Sequence, residues 1–250
     1  MLNSVPFLYI RDSFVGGITM IRALLTMDDF STRNTPAIVD YLEEKNIPVI
    51  MFAWGQNVEQ YHEEALYAVK KGIIIGNHSY SHPHFSEISF DEGVKEIEKC
   101  ESVLDELYKE AGIQRIFRPF RFPYGDKGGE NKELLQKYLT EHGFNKVDDA
   151  NIPYLWWKEN DLDKDIDTLW TFDFAEYNIR PGSGFTMDDV FKKMQDMNPS
   201  SGAALFAPDS YHILLFHSHD ETEEMVSGYY KQFLDECLAK GVEFVAPEFK

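Results

Sequence analysis

The sequence has little positive charge and little cysteine. It contains 24 Lys and Arg residues against 43 Asp and Glu residues, which gives a formal net charge of −19 over 250 residues. Because phosphate backbones and anionic membranes are bound mainly by Lys and Arg, this balance argues against a nucleic-acid or membrane partner. The two cysteines, Cys100 and Cys237, form no CxxC pair and indicate no disulfide framework, so the redox compartment stays open.

Long apolar runs and a recognisable secretion signal are also missing from the sequence. No stretch approaches the roughly 18 to 20 apolar residues of a membrane helix. The opening MLNSVPFLYIRDSFVGG is mildly apolar, but it lacks a basic start and is interrupted by Arg11-Asp12, so it does not resemble a signal peptide. We therefore expect a cytoplasmic protein, or an extracytoplasmic one if a signal peptide has been removed. The oligomeric state stays unknown.

What the sequence does contain is a regular alternation of short apolar runs and longer amphipathic ones. Hydrophobic residues make up 43% of the chain, which is enough for a substantial core. A long helix is predicted between Ser89 as N-cap and Gly112 as C-cap, and other helices separate the apolar runs. The predicted strands are IRALLTM, IPVIMFAW, IIIG, IQRIFRPFRF, TLWTFDF, HILLFHS and VEFVAP.

This alternation predicts an α/β fold built from parallel βαβ units, with residues 1–250 forming a single domain. About seven repeats favour barrel-like closure over an open sheet. One acidic and aromatic segment, at about residues 148–168, breaks the alternation. We expect it to be a loop insertion over one end of the barrel.

Polar clusters follow five of the predicted strands. In a parallel α/β barrel the chemistry gathers at the C-terminal ends of the strands, and five clusters on one rim are hard to explain by chance. The clusters are Asp28-Asp29, Asn77-His78, RFPYG at 121–125, Asp173 with Glu176, and His217.

The first two clusters are candidates for a metal site. The adjacent carboxylates of Asp28 and Asp29 repel each other and need a cation, either a metal or an arginine, unless one of them only caps a helix. His78 and His82, four residues apart, point the same way, and two imidazoles with one carboxylate make a catalytic metal site. The alternatives are two solvated loop histidines, or a site that uses the nearby His84 instead.

The remaining clusters are candidates for proton transfer and charge stabilisation. Arg121 could hold a catalytic carboxylate in a bidentate pair, with Arg118 as a rival, and the Pro-Tyr-Gly turn could offer a free backbone N–H to an oxyanion or be only a rigid turn. His217 could act as a general acid if Glu176 raises its pKa. His219 points the same way, so the choice between the two histidines stays open.

Together these motifs resemble those of the polysaccharide deacetylases of the NodB-homology family, carbohydrate esterase family 4. The match runs from about Leu24 to His219, most of the chain. Its five ordered motifs are TMDD at 26–29, HSYSH at 78–82 after Gly76-Asn77, RFPYG at 121–125, a partly kept D-x-x-D-W motif as DFAEY at 173–177, and the L-x-H motif as LFH at 215–217.

The resemblance implies a distorted (β/α)7-8 barrel and metal-dependent removal of N-acetyl (or O-acetyl) groups from an acetylated oligo- or polysaccharide. It implies that Asp29, His78 and His82 hold Zn2+ or another divalent transition metal such as Co2+, Ni2+ or Fe2+. It also implies that Asp28 is the general base for a metal-activated water and that Arg121 orients this base.

The same resemblance implies roles for five further residues. Tyr124 would offer its backbone N–H to the oxyanion, and Glu176 would tune His217, the general acid. Leu215 would line the acetyl pocket and Tyr177 the wall of the substrate groove.

The chain departs from the family pattern in three places, which puts the substrate in more doubt than the reaction. Phe30 stands where the family usually has glycine, and Glu176-Tyr177 replaces Asp-Trp. The 148–168 insertion carries Trp156 and Trp157, which could stack on sugars or pack inside a folded loop.

Three other functions compete with this interpretation. The same fold could hydrolyse a small non-sugar amide, or the chain could be a non-catalytic carbohydrate- or metal-binding protein. The second is disfavoured because Asp28 and His217 are both kept beside the metal ligands. A magnesium-dependent phosphoryl transferase is disfavoured because the sequence has no Gly-rich phosphate loop and because two His ligands favour zinc.

Overall fold

A parallel β-sheet forms the centre of the molecule in the computed structural model, which describes residues 19–250. The expectation about the N-terminal seventeen residues therefore lies outside the described residues. Within 19–250 no helix combines the length and the apolar character needed to cross a membrane.

Strands and helices alternate as the sequence predicts. The strands are β1 (Ile21–Phe30), β2 (Val49–Ala53), β3 (Ile74–Asn77), β4 (Phe172–Asp173), β5 (Ser210–His217) and β6 (Val242–Phe244). The helices are α1 (Thr35–Lys45), α2 (Gly55–Gln60), α3 (His62–Lys70), α4 (Phe90–Ala111), α5 (Lys132–Glu141), α6 (Leu155–Glu159), α7 (Met187–Gln195), α8 (Asp220–Met225) and α9 (Tyr229–Ala239).

The sheet has the strand order β3-β2-β1-β5-β4, and all of its ladders are parallel. β1 is the central strand and pairs with β5 along eight residues, from Ile21 to Asp28. β6 pairs with the first part of β1, on Ile21 to Ala23, while β2 pairs with its later part. The α/β fold and the parallel sheet are thus confirmed.

The sheet is less completely closed than the predicted barrel of seven or eight strands. Across residues 19–250 the structure has six strands, and no ladder joins β3 to β4. Instead, Phe120 makes a single parallel bridge with Asn77 of β3, and the Thr168 N–H donates to the Phe120 carbonyl at 2.8 Å. A few backbone contacts therefore bring the two edges together in a distorted, barrel-like shape.

The segment IQRIFRPFRF is the clearest difference from the predicted strands. It contributes only the bridge at Phe120, because Pro119 has no N–H to donate to a ladder. The preceding Arg115 and Arg118 turn their side chains to Glu101 on α4. Three other elements are also shorter than predicted: β4 has two residues, one predicted helix divides into α2 and α3, and another into α8 and α9.

The helix predicted between Ser89 and Gly112 is confirmed with both of its ends. Ser89 accepts a hydrogen bond from the Glu92 N–H, and the Glu92 carboxylate accepts one from the Ser89 N–H in return. At the other end Gly112 adopts a left-handed conformation, with φ 70°. These are the two end signals on which the sequence prediction depends.

The insertion is a loop with one short helix, α6, and it is attached to the body of the fold by ion pairs. Lys146 contacts the Asp149 carboxylate at 3.0 Å, and Lys127 contacts Asp165 and Asp167 at 2.7 and 3.1 Å. These acidic groups are buried, so the pairing offsets the cost of removing them from water. The acidic character of this segment therefore has a structural role in attaching the loop.

The two faces of the sheet carry different side chains because direction alternates along a strand. On β1, Leu25 and Met27 pack with the large core cluster that includes the helices. Leu24 packs in a separate cluster with Ile50 and Phe52 of β2. By the same alternation Asp28 lies on the face of Leu24, inside the distorted barrel.

Gly76 has no room for a side chain on this inner face. A Cβ there would lie 2.6 Å from the Phe52 ring and 2.9 Å from the Pro119 carbonyl oxygen. We expect Gly76→Ala to lower the free energy of unfolding by about 1–3 kcal/mol, as overpacking of a core does. Urea denaturation followed by tryptophan fluorescence measures this change.

Gly93→Ala is the matched control, because Gly93 also has no positive φ but lies in helix α4. A Cβ at Gly93 meets its nearest atoms at 3.3–3.4 Å, and alanine favours a helix over glycine by roughly 0.5–1 kcal/mol. We expect this variant to unfold within about 1 kcal/mol of the parent chain. Equal stability of Gly76→Ala and the parent chain would contradict the packing argument.

Candidate active site

Two neighbouring carboxylates face one cavity at the end of β1, although strand alternation alone would separate them. Asp28 pairs with His217 in the β1–β5 register, and the β1–β2 register shifts between Met27 and Phe30. Asp29 adopts a left-handed conformation, with φ 62°. This irregularity redirects its side chain, so Asp28 and Asp29 line the same cavity.

The predicted metal ligands converge as a group of three. Each of Asp29, His78 and His82 offers one ligand atom, and these atoms all lie within 4.8 Å of one another. Nε2 of His82 is 3.3 Å from Nε2 of His78 and 3.3 Å from Oδ1 of Asp29, and Nε2 of His78 is 3.9 Å from the same oxygen. Tertiary structure thus joins one residue of β1 to two from the loop after β3.

This donor set fits a zinc-like metal. Ligand atoms at about 2.0–2.1 Å from a tetrahedral zinc lie about 3.3 Å from one another, close to the spacings in this site. Asp29 Oδ1 is buried and has no hydrogen-bond partner within the described chain, as expected for an oxygen that binds an ion. Two imidazoles and one carboxylate are also the ligand types of catalytic zinc sites with an open position.

A hydrogen bond to a backbone carbonyl sets the orientation of His78. His78 Nδ1–H donates to the carbonyl oxygen of Arg121 at 2.7 Å, which leaves the lone pair of Nε2 free toward the cavity. Burial and the neighbouring His78 lower the pKa of His82 to about 4, so its imidazole is neutral at pH 7. The loop reaches this geometry through left-handed residues at Ser79 and His82, and is neither the helical turn nor the extended segment assumed from the spacing.

Arg121 is fully buried and holds Asp28, as the sequence predicts. Its Nη1–H donates to Asp28 Oδ1 at 2.7 Å and to Thr26 Oγ1 at 2.8 Å, while Nε–H donates to the Thr168 carbonyl at 2.8 Å. The guanidinium also lies 4.3 Å from the centre of the Phe52 ring. The ion pair is made through one arginine nitrogen and is not the bidentate pair that the sequence suggested.

A second cluster forms around His217, which pairs with Asp28 in the β1–β5 register and lines the same cavity. Its backbone N–H donates to Glu176 Oε1 at 2.5 Å, and Nδ1 lies 3.2 Å from the same oxygen. Burial alone would lower the pKa of His217, but the hydrogen bond and charge of Glu176 outweigh burial and raise the pKa to about 10. Burial also raises the pKa of the nearby Asp173 to about 6. The predicted tuning of His217 by Glu176 therefore has a direct geometric basis.

The remaining predicted residues lie around the same cavity. Tyr124 has φ 59°, and the hydrogen bonds of its turn are donated by the next two residues, which leaves the Tyr124 N–H outside them. Tyr124 is 58% exposed, and its ring packs edge-on against His82. Leu215 lines the cavity from β5, and the Tyr177 ring contacts His217 edge-on, with 4.7 Å between centroids.

The structure also shows which partner each rival residue contacts. Arg118 binds Glu101 at 2.8 Å and does not reach Asp28, because its side chain turns toward α4. His84 lies 3.5 Å from Asp126 and outside the group of three ligands. His219 lies against Asp29, at 2.6 Å between Nε2 and Oδ2, while His217 lies against Glu176.

The cavity has a volume of about 360 Å³ and adjoins a second one of about 430 Å³. Trp170, Asp173 and Tyr177 line both, so the two cavities are neighbours that share part of their walls. Trp156 of the insertion lines the second cavity, whereas Trp157 is 2% exposed and donates its Nε1–H to Asp149. One tryptophan of the pair is thus available to a ligand and the other is part of the packing.

Three cavity residues were not predicted from the sequence. Trp54 stacks on His82 with 4.8 Å between ring centroids, and it directly follows β2, so the strand-end rule could have identified it. Trp170 precedes β4 and Arg180 follows a short turn, so no strand-end signal indicates either. Their place in the cavity depends on the path of the loops.

Comparison with known proteins gives a consistent result. A family model described as "Polysaccharide deacetylase" matches residues 20–147, just over half of the chain. A peptidoglycan-N-acetylglucosamine deacetylase of Bacillus cereus is 33% identical over 143 residues, which cover 56% of this chain and 49% of the relative. Chitin deacetylase 1 of Cryptococcus neoformans var. grubii is 33% identical over 87% of this chain and 41% of the relative. The chain thus spans about half or less of the length of these two relatives.

Solved structures share the fold across nearly the whole chain. A crystal structure of a peptidoglycan N-acetylglucosamine deacetylase superposes with a TM-score of 0.61 and 22% identity, covering 91% of this chain and 86% of that one. A CE4 family pseudoenzyme from Bacillus anthracis has a TM-score of 0.57 and 17% identity, covering 87% and 62%. Because active and inactive proteins share this fold, it does not by itself decide between catalysis and binding.

Proposed function

The chain belongs to the polysaccharide deacetylase family, and we propose that it is a metal-dependent hydrolase that removes acetyl groups from an acetylated glycan. One observation carries the proposal: Asp28 and His217 line the same cavity as the ligand group of Asp29, His78 and His82. A protein that only binds metal or sugar has no need for a base and an acid beside such a group. The family relatives named as peptidoglycan and chitin deacetylases support a glycan substrate.

Asp28 is the base in this proposal. A divalent metal held by Asp29, His78 and His82 would polarise the acetyl carbonyl and lower the pKa of a water molecule. Arg121 holds Oδ1 of Asp28, so Oδ2 is the oxygen that takes the proton of the attacking water. Oδ2 lies 3.5 Å from Nε2 of His78, which places it beside the ligand group.

His217 is the acid. An amine is a poor leaving group until it is protonated, so N-deacetylation needs a proton donor on the leaving side. Because the pKa of His217 is raised to about 10, the imidazole carries its proton at neutral pH. Nδ1 faces Glu176, and Nε2 is therefore the nitrogen that gives its proton to the departing amine.

Two further groups complete the proposed site. The backbone N–H of Tyr124 would donate to the oxygen on which negative charge develops during attack. Leu215 would contact the acetyl methyl group, because it is the apolar residue that lines the cavity next to His217 on β5.

The two adjoining cavities support a glycan over a small amide. Trp156, Trp170 and Tyr177 are among the residues that line them, and apolar rings with adjacent polar groups suit the two faces of a sugar ring. A small amide would fill only the cavity of about 360 Å³. We therefore propose an oligomeric or polymeric substrate.

We expect the chain to release acetate from acetylated glycans, and a chelator to abolish the release. A coupled acetate assay would compare N-acetylglucosamine oligomers, peptidoglycan, acetylated xylan and small acetamides, with and without added Zn2+. Release of acetate from small amides alone would reject the proposal of a glycan substrate. Metal-loaded protein that releases acetate from none of them would support a binding protein related to the pseudoenzyme and would reject the enzyme.

Asp28→Asn should abolish turnover and leave the metal bound, because the amide cannot accept the proton of water while Asp29, His78 and His82 are unchanged. We expect a loss of at least about 100-fold in kcat, typical of removing a general base. Metal content by elemental analysis and kcat from acetate release measure the two effects separately.

Asp40→Asn serves as the control for Asp28→Asn, because Asp40 lies on α1 and outside the residues that line the cavity. It should match the parent chain in both measurements. Full activity of Asp28→Asn would reject the assignment of the base.

Glu176→Gln should move the alkaline limb of the pH profile to lower pH. The acid must be protonated, so kcat/KM falls as the pH rises through the pKa of His217, and the charge of Glu176 is what raises that pKa above its ordinary value. Without this charge, burial lowers the pKa. Profiles of kcat/KM from pH 6 to 11 measure the shift.

The isosteric change keeps an oxygen for the His217 N–H, so the local fold is preserved. Glu221→Gln, on the first turn of α8, is the matched control and should leave the limb in place. An unmoved alkaline limb in Glu176→Gln would reject His217 as the titrating acid.

A further inference from the structure

His219 makes a short contact with a carboxylate of the ligand group. Its Nε2 lies 2.6 Å from Asp29 Oδ2, while Asp29 Oδ1 faces His82 Nε2 at 3.3 Å. The two oxygens of one carboxylate thus have different surroundings. Oδ1 has no hydrogen-bond partner within the described chain and Oδ2 has His219.

The chemistry of this contact separates His219 from the ligands themselves. A carboxylate oxygen only accepts hydrogen bonds, so Nε2 of His219 must carry the proton between them. A nitrogen that donates this proton has no lone pair to offer a metal. In agreement with this, the group of three atoms within 4.8 Å of one another contains Asp29, His78 and His82 but not His219.

The turn that carries His219 is attached to the end of β1. Asp220 Oδ1 accepts a hydrogen bond from the Asn34 N–H at 3.1 Å, and Oδ2 accepts from the N–H and Nε–H of Arg33 at 3.3 and 3.2 Å. Ser218 N–H donates to the Asp28 carbonyl at 3.4 Å. The residues before and after His219 are therefore bonded to the segment that carries Asp29.

The neighbouring histidine has a different partner. His217 lies against Glu176, and its ring centroid is 5.3 Å from that of His219. Two imidazoles two residues apart therefore contact two different carboxylates.

We propose that His219 is a positioning residue: its Nε2–H holds Oδ2 of Asp29, so that Oδ1 alone is presented with His78 and His82 to the metal. This inference rests on the metal site of the proposed function and extends it to a residue outside the motifs. It also gives the two histidines different roles. His219 holds the metal ligand Asp29, whereas His217 does not contact a metal ligand and is free to act as the acid.

Metal affinity of His219 variants tests this role without any turnover. Apo protein would be titrated with Zn2+ against a chromophoric chelator, and the absorption spectrum of the Co2+-loaded form would report the ligand geometry. We expect His219→Ala to raise the Kd for Zn2+ by about 10–100-fold, the usual effect of losing a hydrogen bond to a metal ligand, and to change the Co2+ spectrum. His219→Gln should recover part of the affinity, because its side-chain N–H can also reach Oδ2.

His62→Ala is the matched control, since His62 makes the same kind of contact with Glu110, at 2.8 Å, and is not among the residues that line the cavity. It should bind Zn2+ like the parent chain. Near-UV circular dichroism of each apo variant checks the fold, and His219→Phe, which keeps a ring but has no N–H, replaces His219→Ala if the latter does not fold.

Three outcomes would overturn the inference. If His219→Ala binds Zn2+ within twofold of the parent chain and gives the same Co2+ spectrum, Asp29 does not need this hydrogen bond. If saturating Zn2+ leaves kcat of His219→Ala reduced as severely as that of His217→Ala, His219 is a proton donor. If the parent chain binds no metal at all, the metal site of the proposed function fails together with this inference.

Discussion

The site depends first on the burial of the Arg121 guanidinium. A buried charge needs partners inside the protein, and Arg121 contacts several separate parts of the chain: Asp28 and Thr26 on β1, the Thr168 carbonyl at the end of the insertion, and the Phe52 ring on β2. Its own carbonyl accepts the Nδ1–H of His78, so the same residue orients both the proposed base and a proposed metal ligand. Removing the charge of Arg121 would leave Asp28 buried and unpaired. Because Arg121 also bonds to the Thr168 carbonyl, where the two edges of the sheet approach, the environment of Asp28 and the closure of the fold depend on the same residue.

Charge separation is the second constraint on the molecule. The chain carries a net charge of −19, yet the candidate active-site cavity brings together three carboxylates that repel one another. Two of them have compensating partners: Asp28 has Arg121, and Asp29 has His219 and the other imidazoles, which outweigh burial and hold the pKa of Asp29 well below its usual range. Asp173 makes no ion pair within the described chain, and burial raises its pKa to about 6 although the charge of His217 opposes the rise. Neighbouring carboxylates of one small cavity can therefore have pKa values that are shifted in opposite directions.

Much of the fold and of the site could be predicted because both depend on local sequence rules. Alternating apolar runs predict the parallel α/β sheet, and Ser89 and Gly112 mark the ends of α4 through capping chemistry that needs only a few neighbouring residues. The prediction was wrong where a residue depends on distant partners. IQRIFRPFRF is apolar enough for a strand, but Pro119 cannot donate to a ladder and the arginines of this segment turn toward Glu101 on α4, so only one bridge forms.

The sequence by itself determined which ionisable side chains are present and which strand ends carry them, because residue type and strand order follow directly from the order of residues. Only the tertiary structure decided which histidine or arginine pairs with which carboxylate. His217 and His219 are equivalent by spacing, as are Arg118 and Arg121, and each pair is separated by where its side chain finds a carboxylate. Those carboxylates lie 17 to 190 positions away and reach the histidines or arginines through the packing of β1, β5, α4 and the loops, for which no local pattern codes.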